Sequence, residues 1–344
     1  MNGLIEVSDP GLGNSFQDLG RFGYRHMGIA VSGCVDPLLA RCANALAGNP
    51  AQCAAERACI EVRGAGPTLT VREGRARFAL AGDLSATLTR AGGEEREVPP
   101  WQSVSLDPGD ALSVGFVSGG AAYVAVSGGF ATPVQLGSRS VYRRAEIGEP
   151  IAPGLSIPCA ALPRRGSHEY SADPWRHEEG PIRVLLGPQD DHFKPEAIAD
   201  LLGGEYRVTK ESDRMGMRLE GPALVHLTPA SADIVSDGTV PGAIQVPGNG
   251  QPIVLLADCQ TAGGYPKVAT VITADLPRLA QLRPGQAIRF QAVDAKGARQ
   301  ALQALETRWK WWAYGVVLGP PDAEVNVDWR AGGPLFADGW CQGE

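Results

Sequence analysis

Glycine and proline interrupt this chain so regularly that long uninterrupted elements have little room to form. The 44 glycines and 27 prolines among 344 residues fall between apolar runs and do not gather in one segment. Turn formers spaced in this way specify many short strands joined by tight turns, and they argue against disorder. The length suffices for two domains and a large core.

Residues 4–7 form the first predicted strand, and residues 11–37, GLGNSFQDLGRFGYRHMGIAVSGCVDP, follow as a Gly-rich polar run that reads as a long functional loop. Asp36 and Pro37 begin a helix, as N-cap and first helical residue. Leu38, Leu39, Cys42, Ala43 and Leu46 supply its apolar face, and Gly48-Asn49-Pro50 stops it. From Ala58 to about Phe130 at least six β runs succeed one another, with DPGD at 107–110 as a preset turn. That succession predicts a barrel or sandwich in preference to a parallel α/β sheet. Residues 131–180 look irregular, and PRRGSHEYSADPWRHEEGP reads as a linker.

The predicted organisation is therefore mainly β with a few short helices. Residues 1–165 form a β-rich domain with the Gly-rich loop and one helix, and residues 180–295 form a β domain containing a GGYPK loop. Residues 296–344 form a helix and an irregular tail containing Trp329 and Trp340. KPEAIADLLGG predicts a helix ending at Gly203-Gly204, and residues 298–312 predict another, with Leu302, Leu305, Trp309 and Trp312 on one face.

A formal charge of −7, with basic residues adjacent only at 143–144 and 164–165, argues against a nucleic-acid surface. Seven cysteines without C-x-x-C spacing indicate neither a zinc site nor a complete disulfide framework, and five dispersed histidines predict no metal. No apolar run approaches the roughly 20 residues that span a bilayer, and the opening MNGLIEVSDP lacks a signal core. The expectation is a soluble cytoplasmic protein. Phosphate-loop, nucleophile-elbow and zinc-helix motifs are missing from the sequence.

Residues 236–275 hold the most chemistry. Predicted strands at 253–257 and 268–273 bracket Gln260, Thr261, Gly263, Gly264, Tyr265, Pro266 and Lys267. Adjacent glycines allow positive φ and an exposed backbone, while Lys267 and Gln260 suit a carboxylate, imide or carbonyl oxygen. A plain connecting turn has the same composition. Two further polar groups stand out, Gln17, Asp18, Arg21 and Asp36 in the front half and Ser212, Asp213, Arg214 and Arg218 in the back half, with Gln245 accompanying the lysine turn. Each group reads either as a binding constellation or as a structural ion pair.

SFQDLGRFGYRHMGIAVSGCVDP with ANALAGNP, and later ESDRMGMRLEGP and GAIQVPGNGQPIVLLADCQTAGGYPKVATVITADLPRLAQLRPGQAIRF, resemble the biotin-dependent carboxyltransferase-like family. Its members include allophanate hydrolase subunit 2 and the 5-oxoprolinase C subunit. The likeness runs from about Ile5 to Val293 in matching order. It implies a cyclophilin-like β-barrel architecture and partners in a complex, namely a related B subunit, together with a lactamase-like A subunit. The implied reaction is ATP-dependent opening of 5-oxo-L-proline to L-glutamate, with ATP and magnesium acting at the level of the complex. Two other roles remain open: a carboxyltransferase for urea, drawing on biotin from a separate carrier, and a non-catalytic regulatory partner of the kinase-inhibitor-like B subunit. SVYRRAEIGEPIAPG after LGSRS departs from the family's usual continuation.

On this reading Lys267, Gln260, Tyr265 and Asp36 are the expected catalytic residues. Asp18, Arg21, Ser212, Asp213, Arg214, Arg218, Gln245, Thr261, Gly263 and Gly264 are expected to bind a small amide or carboxylate. The segment bearing Asp18 and Arg21 and the turn bearing Lys267 are expected to line one cleft.

Overall fold

Short apolar runs in the first half of the chain pair into two antiparallel sheets. The computed structural model describes residues 2–50, 57–117, 120–163 and 169–318. One sheet has the order Ser156–Ala160, Asn2–Asp9, Thr68–Glu73, Ala111–Val114, Ala86–Thr89, Glu95–Val98. The other runs Ser15–Gln17, Cys59–Val62, Ala122–Val126, Ala76–Ala81, Ser103–Leu106.

Two-residue periodicity explains how these sheets are shared between cores. Phe78, Leu80, Val124 and Val126 face a core common to both sheets. The alternate residues Ala79, Ala81, Tyr123 and Ala125 face helix α1, Pro37–Leu46. Small alanines there let the helix lie close. Asp36 caps α1 as the sequence predicts, its Oδ1 accepting from Leu38 N at 3.1 Å and Leu39 N at 3.0 Å.

The second half forms an eight-stranded sheet, ordered Ala287–Ile288, Tyr206–Val208, Gly216–Glu220, Ile253–Leu255, Ala243–Gln245, Lys267–Val271, Ile182–Leu186, Phe290–Ala292. Its two edge strands are consecutive in the chain and separated only by Arg289, so the sheet is a nearly closed barrel. Val184, Tyr206, Ile244, Val254 and Val268 fill it. Helix α2, Pro195–Gly203, packs Ala197 and Leu201 inward, and α3 is the single turn Leu276–Leu279.

Helix α4, Ala295–Tyr314, begins before the expected start because Asp294 caps it, accepting from Gly297 N at 2.7 Å. It docks on α1 through Leu305 and Trp309, with Arg41 stacked 3.7 Å from the Trp309 ring and paired with Glu306 at 2.8 Å. Part of the expected linker is docked as well. Trp312 donates to Asp173 O at 2.7 Å, and Arg308 to Arg176 O at 2.7 Å.

Three strands of the two first-half sheets lie where none is expected, Ser15–Gln17, Glu95–Val98 and Ser156–Ala160, and all are sheet edges. Glu95–Val98 exposes three charged residues, and Ser156–Ala160 contains Pro158; neither carries the apolar signature of an interior strand. Trp329, Trp340, Cys53, Cys341, His168 and Arg164–Arg165 lie outside the described residues. No helix among those described is long and apolar enough to cross a membrane.

Candidate active site between the two halves

Asp213 sets the geometry of the turn that faces the first half. Its Oδ1 accepts from Met215 N at 2.8 Å and Gly216 N at 3.1 Å, which closes the turn and directs Arg214 into the seam. Arg214 then spans the two halves. Nε and Nη2 donate to the two Asp258 oxygens at 2.8 and 2.9 Å, Nη1 to Glu61 Oε1 at 2.6 Å, and Nη2 also to Gly33 O at 2.8 Å. Gly33 is needed where it stands, because it has φ +87° and a Cβ there would lie 2.8 Å from Gly20 N.

Behind Glu61 a polar thread continues through the interior. Tyr123 Oη donates to Glu61 Oε2 at 2.8 Å, and Val35 N donates to the same oxygen at 2.9 Å. Asp36 N donates to Tyr123 Oη at 2.9 Å, while Asp36 Oδ2 meets His177 Nε2 and Gln281 Nε2, both at 2.8 Å. Buried polar atoms so connected hold one arrangement, since breaking any link leaves a desolvated partner.

Charge states along the thread follow from burial and neighbours. Burial alone would raise the Glu61 carboxyl, but Arg214, Arg63, Val35 N–H and the Tyr123 hydroxyl bring it below its ordinary value. Burial would likewise discharge Arg214, yet Glu61 and Asp258 hold its guanidinium firmly protonated. Burial and then the Glu61 charge push the Tyr123 hydroxyl well up, so it remains a donor. The five described cysteines are buried, and burial raises each thiol; Cys159, for example, reaches about 11. None of the five is a thiolate nucleophile at neutral pH.

Arg214 and Asp258 open onto a cleft of about 400 Å³, whose walls include Ser15, Arg63, Tyr142, Arg143 and Arg144 from the first half and Ser212 and Asp213 from the second. Arg144, Asp213 and Met215 also line an adjoining cavity of about 280 Å³, together with Arg218, Gln245, Gln260 and Tyr265. The fold thus brings seven of the expected residues to one place: Ser212, Asp213, Arg214, Arg218, Gln245, Gln260 and Tyr265. Gln260 Nε2 donates to Gln245 Oε1 at 3.0 Å, and Gln245 Nε2 reaches Tyr265 O at 3.4 Å.

Other expected residues lie elsewhere. Lys267 is not among the residues lining either cavity. Its ammonium donates to Asp237 Oδ2 at 2.7 Å and Gly238 O at 3.0 Å, with a side chain only 4% exposed, because the neighbouring short strand supplies closer partners. Gly263 and Gly264 do not have positive φ. At Gly263 a Cβ would come within 2.5 Å of Gln245 Nε2 and so displace the Gln245 amide. Thr261 is not among the residues lining either cavity, and its carbonyl accepts from Thr239 N at 3.1 Å.

The front-half group acts at one remove. Asp18 accepts from Ser138 Oγ and Arg139 N, both at 2.7 Å, and the fully buried Arg21 donates to Gln135 O at 3.1 Å and Ser140 O at 2.8 Å. Gln17 donates to Val141 O at 3.0 Å. These residues pin segment 135–141, which runs on into the cleft-lining Tyr142–Arg144, and do not themselves line the cleft. Asp36 is fully buried as helix cap and thread link, out of reach of a ligand. Sequence reasoning missed Glu61, Tyr123, Asp258, Arg63 and the Arg143–Arg144 pair. Glu61 did carry a signal, a carboxylate inside the apolar strand CIEV.

A family model described as carboxyltransferase domain, subdomain A and B, matches residues 27–292. This chain belongs to that family. It is 34% identical over 306 residues to the 5-oxoprolinase C subunit of Haemophilus influenzae, covering 86% of this chain and 93% of the relative. Identity to the Escherichia coli protein of the same name is 32% over 309 residues, 87% of this chain and 94% of that one. Among solved structures, the Kluyveromyces lactis urea amidolyase superposes with a TM-score of 0.77 at 25% identity. It covers 91% of this chain, which spans only 21% of that much longer protein. All seven gathered residues lie within the matched region, and so does the cleft wall apart from Gly13 and Ser15.

Proposed function

We propose that this chain is the C subunit of a 5-oxoprolinase, acting with the related B and lactamase-like A subunits to open 5-oxo-L-proline to L-glutamate with hydrolysis of ATP. The observation that carries the reading is the nearly end-to-end correspondence with two proteins of that name, in both directions of coverage. The cleft chemistry agrees with it. The substrate has one carboxylate and one ring amide, and the cavity pair offers the Arg218 guanidinium fork and a single Arg214 N–H beside the Gln245–Gln260 amides. Arg214 uses four of its five N–H groups on Glu61, Asp258 and Gly33, leaving one on Nη1 for a ligand. Gln260 and Gln245 are suited to hold the amide oxygen as charge develops on it. The test is reconstitution with the A and B subunits, following glutamate and ADP release. Equal release of both, dependent on 5-oxoproline, is expected; a complete complex that turns over neither would overturn the proposal.

A second reading, carboxyl transfer to urea from biotin on a separate carrier, rests on the superposition with urea amidolyase. Urea-dependent transfer of the carboxyl group from carboxybiotin to urea by this chain, giving carboxylated urea in place of lactam opening, would favour it.

A further inference from the structure

The cleft carries more positive charge than one carboxylate requires. Arg214 is already matched by Glu61 and Asp258, but Arg63, Arg143 and Arg144 line the same wall without an ion pair among the described residues. Arg143 is nevertheless held in place, donating to Asn14 O at 2.6 Å. The pair sits on a single 3-10 turn, Arg143–Ala145, ended by Glu146 at φ 54°. Against the two carboxylates of the lining, Asp213 and Asp258, four arginines leave the cleft net positive in a protein whose formal charge is −7, a local field that favours an anion. One bidentate arginine saturates a carboxylate, whereas several converging forks match the three oxygens and double charge of a phosphoryl group. A cleft of about 400 Å³ has room for a small phosphorylated molecule.

We propose that Arg63, Arg143 and Arg144 form a phosphoryl-dianion site beside Arg214. The inference deepens the 5-oxoprolinase reading and rests on it for its biological sense. The phosphoryl group comes either on a nucleotide or on a small phosphorylated compound.

Equilibrium dialysis of the whole chain against radiolabelled inorganic phosphate, ADP and 5-oxoproline tests it directly. Phosphate and ADP are expected to be retained, at least tenfold more tightly than 5-oxoproline, with affinity falling as salt rises. ADP retained far more tightly than phosphate would assign the group to a nucleotide, and equal retention would assign it to the phosphoryl alone. Arg63→Gln and Arg144→Gln should each weaken retention by about tenfold. Arg207→Gln, on a barrel strand and paired with Glu205, should leave it unchanged, with circular dichroism confirming that all three variants fold. No retention of either phosphate probe, 5-oxoproline retained as tightly as phosphate, or native affinity in the Arg63→Gln/Arg144→Gln double variant would overturn the site. Binding is measured without the partner subunits, so a silent reconstituted complex with intact phosphate retention would condemn the 5-oxoprolinase reading alone. An active complex in which this chain retains neither probe would condemn this site alone.

Discussion

Arg214 and Lys267 are both cations carried by the same barrel, both largely removed from solvent, with side chains 17% and 4% exposed. Their surroundings differ in what they join. Lys267 is held by one half-exposed carboxylate and one carbonyl of its own half, and faces no described cavity. Arg214 clasps two carboxylates and a carbonyl, two of these three partners coming from the other half, and still borders the cleft. A glycine-rich turn with a lysine announces a ligand site by composition, yet a compact ammonium is satisfied by its nearest neighbours. The branched guanidinium can tie a structure together and retain a donor for something else.

Arg214→Ala should have the largest effect. It leaves Glu61 and Asp258 without their shared countercharge, so stability in urea unfolding should fall by about 3–5 kcal/mol, and activity of the reconstituted complex should drop to background. A milder loss would mean that the two halves do not depend on this residue.

Acid titration probes the same joint. The folded-state value of Glu61 lies below its ordinary 4.5, so its pairing stabilises above about pH 4.5 and is lost as pH falls through the folded value. Between neutral pH and pH 3 the melting temperature of the native chain should fall more steeply than that of Glu61→Gln, which has no carboxyl to protonate. Parallel curves would place the acid sensitivity elsewhere.

Lys267→Ala should lower the melting temperature by only about 2–4 °C and leave activity within about twofold. A loss of a hundredfold would reverse the contrast drawn between the two cations. The smallest stability effect belongs to Arg218→Ala, whose exposed side chain should change unfolding by less than about 0.5 kcal/mol. Because Arg218 lines the adjoining cavity, KM for 5-oxoproline should still rise about tenfold.

Local chemistry in the sequence foretold local structure well. Asp36-Pro37 started a helix where capping requires one, and strand runs such as RARFALAG and AAYVAVSGG paired as alternation demands. The edge strands Glu95–Val98 and Ser156–Ala160 escaped because many of their residues meet water, and Ser15–Gln17 because only three residues of a Gly-rich run pair. Ser212, Asp213, Arg214 and Arg218, with Gln260 and Tyr265, stood out in the sequence as polar groups, and the fold brings them to adjoining cavities. Glu61 and Asp258 did not, since 197 positions separate them and only the docking of two sheets makes them neighbours of one guanidinium. Asp18, Arg21 and Lys267 looked like ligand-binding charges because sequence shows which groups need partners but not whether the chain itself will supply them.

The arginine that walls the cleft is also the rivet between the two halves. The mouth of the cleft therefore has no setting independent of the joint: a ligand that sought to prise it wider would first have to pull apart the clasp on Glu61 and Asp258. Adaptation to a bulkier guest is left to the arginines outside that clasp, while the floor keeps its dimensions.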